Sequence, residues 1–71
     1  MKRIPVQSSN LVSVGYNRST QVLEVEFHGG RIYQYFGVPL ALYDGLMNAP
    51  SKGQYLDQNI KKEGYTYIRV K

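Results

Sequence analysis

Two Tyr-x-Tyr pairs, Tyr33/Tyr35 and Tyr65/Tyr67, carry the most usable chemistry in this chain. Residues two apart on a strand point to the same side, so each pair sets two phenol rings on one surface. Ring faces stack on nucleobases, at about 1–3 kcal/mol per stacked base. Basic residues accompany them. Arg31 precedes the first pair, Arg69 follows the second, and Lys52, Lys61, Lys62 and Lys71 lie elsewhere. Such cations neutralise phosphates, and an aromatic sheet face with a basic border is one way of holding single-stranded RNA. The structural reading of the same rings is packing beneath a loop or terminal segment, with hydroxyls bonded to Glu24, Glu26 or backbone.

Catalytic signals are weaker. Glu24 and Glu26, two apart on one strand, have the spacing of an acid–base carboxylate pair. Nothing in the sequence separates their pKa values, and a solvated strand face with tyrosine partners accounts for them. His28 flanks Gly29-Gly30 and reads as an exposed turn residue. None of Ser8, Ser9, Ser13, Ser19 and Ser51 sits in a Gly-x-Ser-x-Gly elbow. Ser51-Lys52-Gly53 lacks the glycine spacing of a phosphate loop. A single histidine and no cysteine exclude an ordinary multi-His or thiolate metal site. No enzyme activity, cofactor or metal is expected.

The 71 residues leave room for one domain, residues 1–71. A chain of this size buries about 60% of its unfolded surface, so its core is thin. Nine Lys/Arg against five Asp/Glu give a net charge of +4. That balance favours anionic partners, although a few net charges also serve solubility. No apolar run approaches the roughly 18–20 residues of a membrane span. The start, Met1 to Gln7, has basic residues but no apolar core of a signal peptide. A cytoplasmic protein is the expectation.

The elements that position these residues follow from periodicity and turn chemistry. Residues 1–10 read as an extended lead-in in which Pro5 blocks a helix. Leu11 to Tyr16 reads as a strand, Asn17 to Thr20 as a polar turn, and Gln21 to Phe27 as a second strand of clean alternation. Gly29-Gly30 suits a two-residue hairpin, followed by a third strand over residues 31–36. The first loop pairs Tyr16 with Gln21, Val14 with Leu23 and Val12 with Val25. The second pairs Phe27 with Ile32, Val25 with Gln34 and Leu23 with Phe36. Val12, Val14, Leu23, Val25, Phe27, Ile32 and Phe36 then form the buried face, with Gln34 as its odd polar member. Glu26 faces Tyr33 and Glu24 faces Tyr35 on the side away from the core.

Pro39 supplies the first position of a helix running to Ala49, with apolar residues 40, 43, 46 and 47 on one face. Gly45 weakens it and allows close packing on the sheet. Ser51 and Gln54 have capping-box spacing and open a second helix, residues 52–62, that buries Tyr55, Leu56 and Ile60. Tyr65 to Val70 reads as a last strand. Ile68 and Val70 are expected in the core, with Tyr65, Tyr67 and Arg69 outward beside Tyr33 and Tyr35.

Several of these runs together resemble the KTSC domain. They are Ser8-Ser9, Val14-Gly15-Tyr16-Asn17, Leu23-Glu24-Val25-Glu26-Phe27 and Gly30-Arg31-Ile32-Tyr33-Gln34-Tyr35. Val38-Pro39, Ala49, Ser51-Lys52-Gly53, Tyr55, Asn59-Ile60 and Tyr65 continue the match, which spans residues 6–70. The family's central Tyr-x-Tyr corresponds to Tyr33 and Tyr35. Pro50 departs from the usual residue between Ala49 and Ser51, and suits a helix break. The resemblance implies a small module named after the C-terminal region of some lysyl-tRNA synthetases, also found as a stand-alone bacterial or phage protein. It brings no catalytic residues, and its synthetase context points to RNA. No synthetase segments accompany the run, so a module standing alone is expected.

The resulting expectation is an α+β domain, β-β-β-α-α-β, with an antiparallel sheet packed on two short helices. Its expected role is a non-enzymatic module binding RNA. Tyr33, Tyr35 and Tyr67 offer rings, and Arg31, Lys52 and Arg69 contact phosphates. The alternative is a protein-interaction or self-associating module that uses the tyrosine face or an edge strand.

Overall fold

The computed structural model describes residues 1–71. Five strands form one antiparallel meander in the order β1-β2-β3-β4-β5. They are β1 (Ile4–Pro5), β2 (Leu11–Asn17), β3 (Val22–Phe27), β4 (Ile32–Tyr35) and β5 (Tyr67–Arg69). Two helices, α1 (Leu40–Asn48) and α2 (Lys52–Leu56), occupy the connection between β4 and β5. The helix after Leu56 widens into a π-helical turn, Asp57–Lys61. The expected α+β class and element order stand, with β1 added. Pro5 hid that strand, and an edge position is where a strand tolerates proline.

The first hairpin pairs Val14 with Val25 and Tyr16 with Leu23, two residues away from the expected register. Asn17, expected in the turn, pairs with Val22, so the loop is Arg18 to Gln21. The Asn17 carboxamide accepts from the N–H groups of Ser19 and Thr20, and Gln21 takes a φ of 58° to close the turn. From Ser13 to Asn17, a shift of two residues leaves each side chain on its expected face.

The second hairpin differs by one residue, and that changes faces. Its loop holds three residues, His28, Gly29 and Gly30, because Phe27 N–H donates to the Arg31 carbonyl. Leu23 therefore faces Tyr35, Val25 faces Tyr33, Glu24 faces Gln34 and Glu26 faces Ile32. Tyr33 and Tyr35 lie on the same side as Leu23 and Val25, toward the helices. Gln34 and Ile32 lie on the outer side with the two glutamates. The carboxylates keep out of the core because β4 absorbs the shift and β3 does not. Ile-Tyr-Gln-Tyr offers apolar surface in either phase, so its pattern does not select one.

The core gathers Leu11, Val14, Leu23, Val25, Phe27, Tyr35, Val38, Leu46, Leu56 and Ile60. Val12, expected inside, falls at a register irregularity between Leu11 and Ser13 and is half-buried. Leu11 instead faces Phe27. Phe36 is half-buried past the end of β4. Ile32 is buried on the outer face, apart from the main core. Because β5 follows β4 in register, Tyr35 faces Tyr67 and Gln34 faces Ile68. Ile68 and Val70, expected in the core, are 48% and 46% exposed on the outer side.

Local chemistry sets the helix ends. Pro39 stands one position earlier than expected, as the α1 N-cap in extended geometry. Ser51 caps α2, its hydroxyl accepting from Gln54 N–H as the spacing predicts. Gly45 gives room to Tyr55 of α2, and not to the sheet as expected: a Cβ there would overlap the Tyr55 hydroxyl.

Candidate functional site

The two phases of β4 build two different surfaces. On the outer side, Glu24 is buried and bonded, which replaces the solvated strand face expected for it. The Gln34 amide donates to its Oε1 at 2.7 Å, and the Arg3 guanidinium pairs with its other oxygen. Arg3 also donates to Ser13 Oγ at 2.9 Å and lies 3.9 Å from Glu26, to which Ser13 donates at 2.8 Å. Burial works to raise the Glu24 pKa, but the bonds from Gln34 and Arg3 outweigh it and hold the carboxyl below its ordinary value. This network binds the lead-in strand to the sheet. The same glutamates have no tyrosine partner, since Tyr33 and Tyr35 point the other way.

On the helix side, four rings converge. Tyr33 and Tyr35 share a face of β4, Tyr67 stands across from Tyr35, and Phe27 ends the neighbouring β3. Ring centres lie 5.7 Å apart for Phe27–Tyr33 and Tyr35–Tyr67, 6.0 Å for Tyr33–Tyr67 and 6.5 Å for Tyr33–Tyr35. Those distances fall within the range of favourable aromatic pairs. The rings surround an open cavity of about 330 Å³ whose remaining walls are Arg31 and Lys61. Arg31 Cζ and Lys61 Nζ sit 5.6 and 5.0 Å from the Phe27 ring centre, at cation–π distance. The π-helical turn ends on Lys61 and delivers it to this rim.

The rings differ in exposure. Tyr35 is buried, Tyr33 half-buried and Tyr67 59% exposed. Burial, with smaller contributions from Tyr33, Tyr67 and Asp57, raises the Tyr35 pKa to about 12. Its phenol therefore stays protonated, a fixed donor, at any ordinary pH.

Arg31, Tyr33, Tyr35 and Tyr67 thus stand together, as four of the six residues singled out from sequence. Arg69 faces Tyr33 across the β4–β5 ladder, with its Nε donating to the Lys71 carbonyl. Lys52 is elsewhere: its Nζ donates to the Ala49 carbonyl at the end of α1, and it does not line the cavity. Sequence reasoning ranked Lys61 only among several cations and gave Phe27 wholly to the core. Their signal was positional. Phe27 is the last residue before the hairpin loop, and Lys61 directly follows the buried Ile60. No group of three His, Cys, Asp or Glu side chains is gathered as a metal ion would need, and no helix is long and apolar enough to cross a membrane.

The fold and site define a small α+β module: one antiparallel meander, helices on one side, and an aromatic cavity with a cationic rim on that same side. The chain belongs to the KTSC domain family, whose model matches residues 7–67. It is similar to the crystal structure of a KTSC domain protein from Yersinia pestis, with a TM-score of 0.90 and 37% identity, covering 99% of this chain and 97% of that one. An uncharacterized protein of Stutzerimonas stutzeri is 43% identical over 70 residues, 99% of both chains. A lysine–tRNA ligase of Nostoc is 47% identical over 55 residues, which make up 78% of this chain and 10% of the ligase.

Proposed function

We propose that this chain is a non-enzymatic module that binds single-stranded RNA, with the Phe27–Tyr33–Tyr35–Tyr67 cavity receiving a base. The observation that carries this reading is the convergence of four rings with Arg31 and Lys61 as the other walls. Rings supply a flat apolar surface that any base can use. The two cations line the same cavity and offer charge to a phosphate attached to that base. A rim of this charge repels a cationic ligand, so the cavity suits a planar group bearing negative charge. At about 330 Å³ it lies at the small end of ligand sites, which fits one nucleotide unit. Arg69 extends the positive border beside Tyr33, and Lys52 has no part in it. The net charge of +4 agrees with an anionic partner. So does the presence of a similar segment in a ligase named for tRNA. Such a ligand fits the cytoplasmic setting expected from the sequence.

The test is affinity for short single-stranded RNA as salt is varied. Arg31→Ala and Lys61→Ala each reduce the slope of log affinity against log salt by about 0.7, the single-strand value per phosphate contact. Tyr67→Ala, at an exposed position, weakens binding by about 1–3 kcal/mol while the fold survives. Unchanged affinity in all three variants contradicts the reading.

A second reading has its own support. Ile68 and Val70 are half-exposed on the outer face beside the free edge of β5, a surface that suits pairing with another chain. It requires association in sedimentation that Ile68→Lys abolishes. A concentration-independent monomer removes its self-associating form.

A further inference from the structure

A second cavity, about 460 Å³, shares three wall residues with the aromatic one: Phe27, Arg31 and Lys61. These three form a ridge between the two hollows. The aromatic side is walled by rings, whereas the other is lined largely by polar side chains, among them Asn10, Gln54 and Asp57. We propose that this polar cleft is a second subsite on the same surface. It takes the nucleotide next to the one held among the tyrosines and favours guanine through Asp57. This inference rests on the RNA reading above and deepens it.

A phosphodiester joins two nucleosides, one on each side of it. A phosphate drawn to Arg31 and Lys61 on the ridge therefore has one nucleoside over the rings and the other over the polar cleft. The cleft's acceptor is Asp57. The ion pairs within 4.0 Å all involve Arg3, so Asp57 has no cationic partner at that distance. It is exposed and begins the π-helical turn that ends on Lys61. Asp57 lines the polar cleft and not the aromatic cavity, so its carboxylate faces the second nucleoside alone. An ionised carboxylate accepts hydrogen bonds and donates none. It repels phosphate, and it matches a base edge with adjacent donors. Guanine presents two on its Watson–Crick edge, the edge that single-stranded RNA leaves open for reading. Uracil presents one there.

The experiment measures affinities of the folded protein for uridine monophosphate, UpU, UpG and GpU by amide shifts and tyrosine fluorescence, at fixed salt. UpG or GpU binds about tenfold more tightly than UpU, the scale of one specific base-edge contact, and both dinucleotides exceed the monophosphate. Asp57→Asn removes the preference for guanine, so that UpG, GpU and UpU bind alike. Equal affinities for monophosphate and dinucleotides overturn the second subsite while the aromatic site stands. A guanine preference that survives Asp57→Asn overturns the assignment to Asp57. If none of the four ligands shifts any residue of the aromatic cavity, the RNA reading fails and this inference fails with it.

Discussion

Tyr35 and Tyr67 face each other across the β4–β5 ladder, yet they answer to different constraints. Tyr35 belongs to the core and Tyr67 to the surface. Removing the Tyr35 ring should therefore cost about 3–5 kcal/mol of stability, as for other large buried aromatics, and confuse any binding test. Its titration is the cleaner probe. The folded-state pKa of about 12 lies above the ordinary value of 10.0. The protonated phenol is thus favoured by folding, and its contribution is complete below pH 10. Stability should fall as pH rises from 10 to 12. Denaturant unfolding followed across that range checks it, and Tyr35→Phe should flatten the fall.

Glu24 works in the opposite direction. Its carboxyl is held below the ordinary 4.5, so its contribution is present above that value and is lost as pH falls through the lowered one. Arg3→Ala leaves a buried carboxylate with Gln34 as its remaining side-chain donor. The expected cost is about 1–3 kcal/mol, read as a lower denaturation midpoint at neutral pH. That difference from the parent should shrink in acid, once Glu24 is protonated in both proteins.

At the scale of elements, the lead-in strand and β2 meet at Gly15. A Cβ there would stand 2.7 Å from the Lys2 carbonyl, and backbone yields less readily than a side-chain tip. Gly15→Ala should lift the lead-in and loosen the Arg3 contacts. A loss of about 1–2 kcal/mol is expected. Combined with Arg3→Ala, the loss should be smaller than the sum, because both changes break the same attachment. A double-mutant cycle in urea measures this.

Elements also show which parts of the fold the sequence made legible. The alternation in β3 and the Ser51 cap were readable, because each is a local rule with a single outcome. The phase of β4 was not. His28 joined Gly29 and Gly30 in the loop, and Ile-Tyr-Gln-Tyr satisfies either register. That one residue decided whether the Tyr-x-Tyr pair lay beside two carboxylates or over the core. Ile68 and Val70 followed it to the outer side. The site residues were partly legible for the same reason. Ring and charge types were visible, but the π-helical turn that brings Lys61 to Phe27 depends on how α2 packs on the sheet.

The whole molecule is a single sheet with one side committed to helices and the other closed near Glu24 by a salt-bridge network. In so small a domain the rings cannot all be spared for a ligand. Tyr35 serves the core as well as the cavity wall, and Tyr33 and Tyr67 are the more exposed rings. The ligand proposed for this cavity, with its Arg31–Lys61 rim, is RNA. Amide shifts of the isotope-labelled protein, titrated with mixed-sequence single-stranded RNA at low and then physiological salt, test it most directly. Shifts clustered at Phe27, Arg31, Tyr33, Lys61 and Tyr67 that persist in part at physiological salt are expected. Shifts scattered over the basic surface that vanish as salt is raised would contradict it.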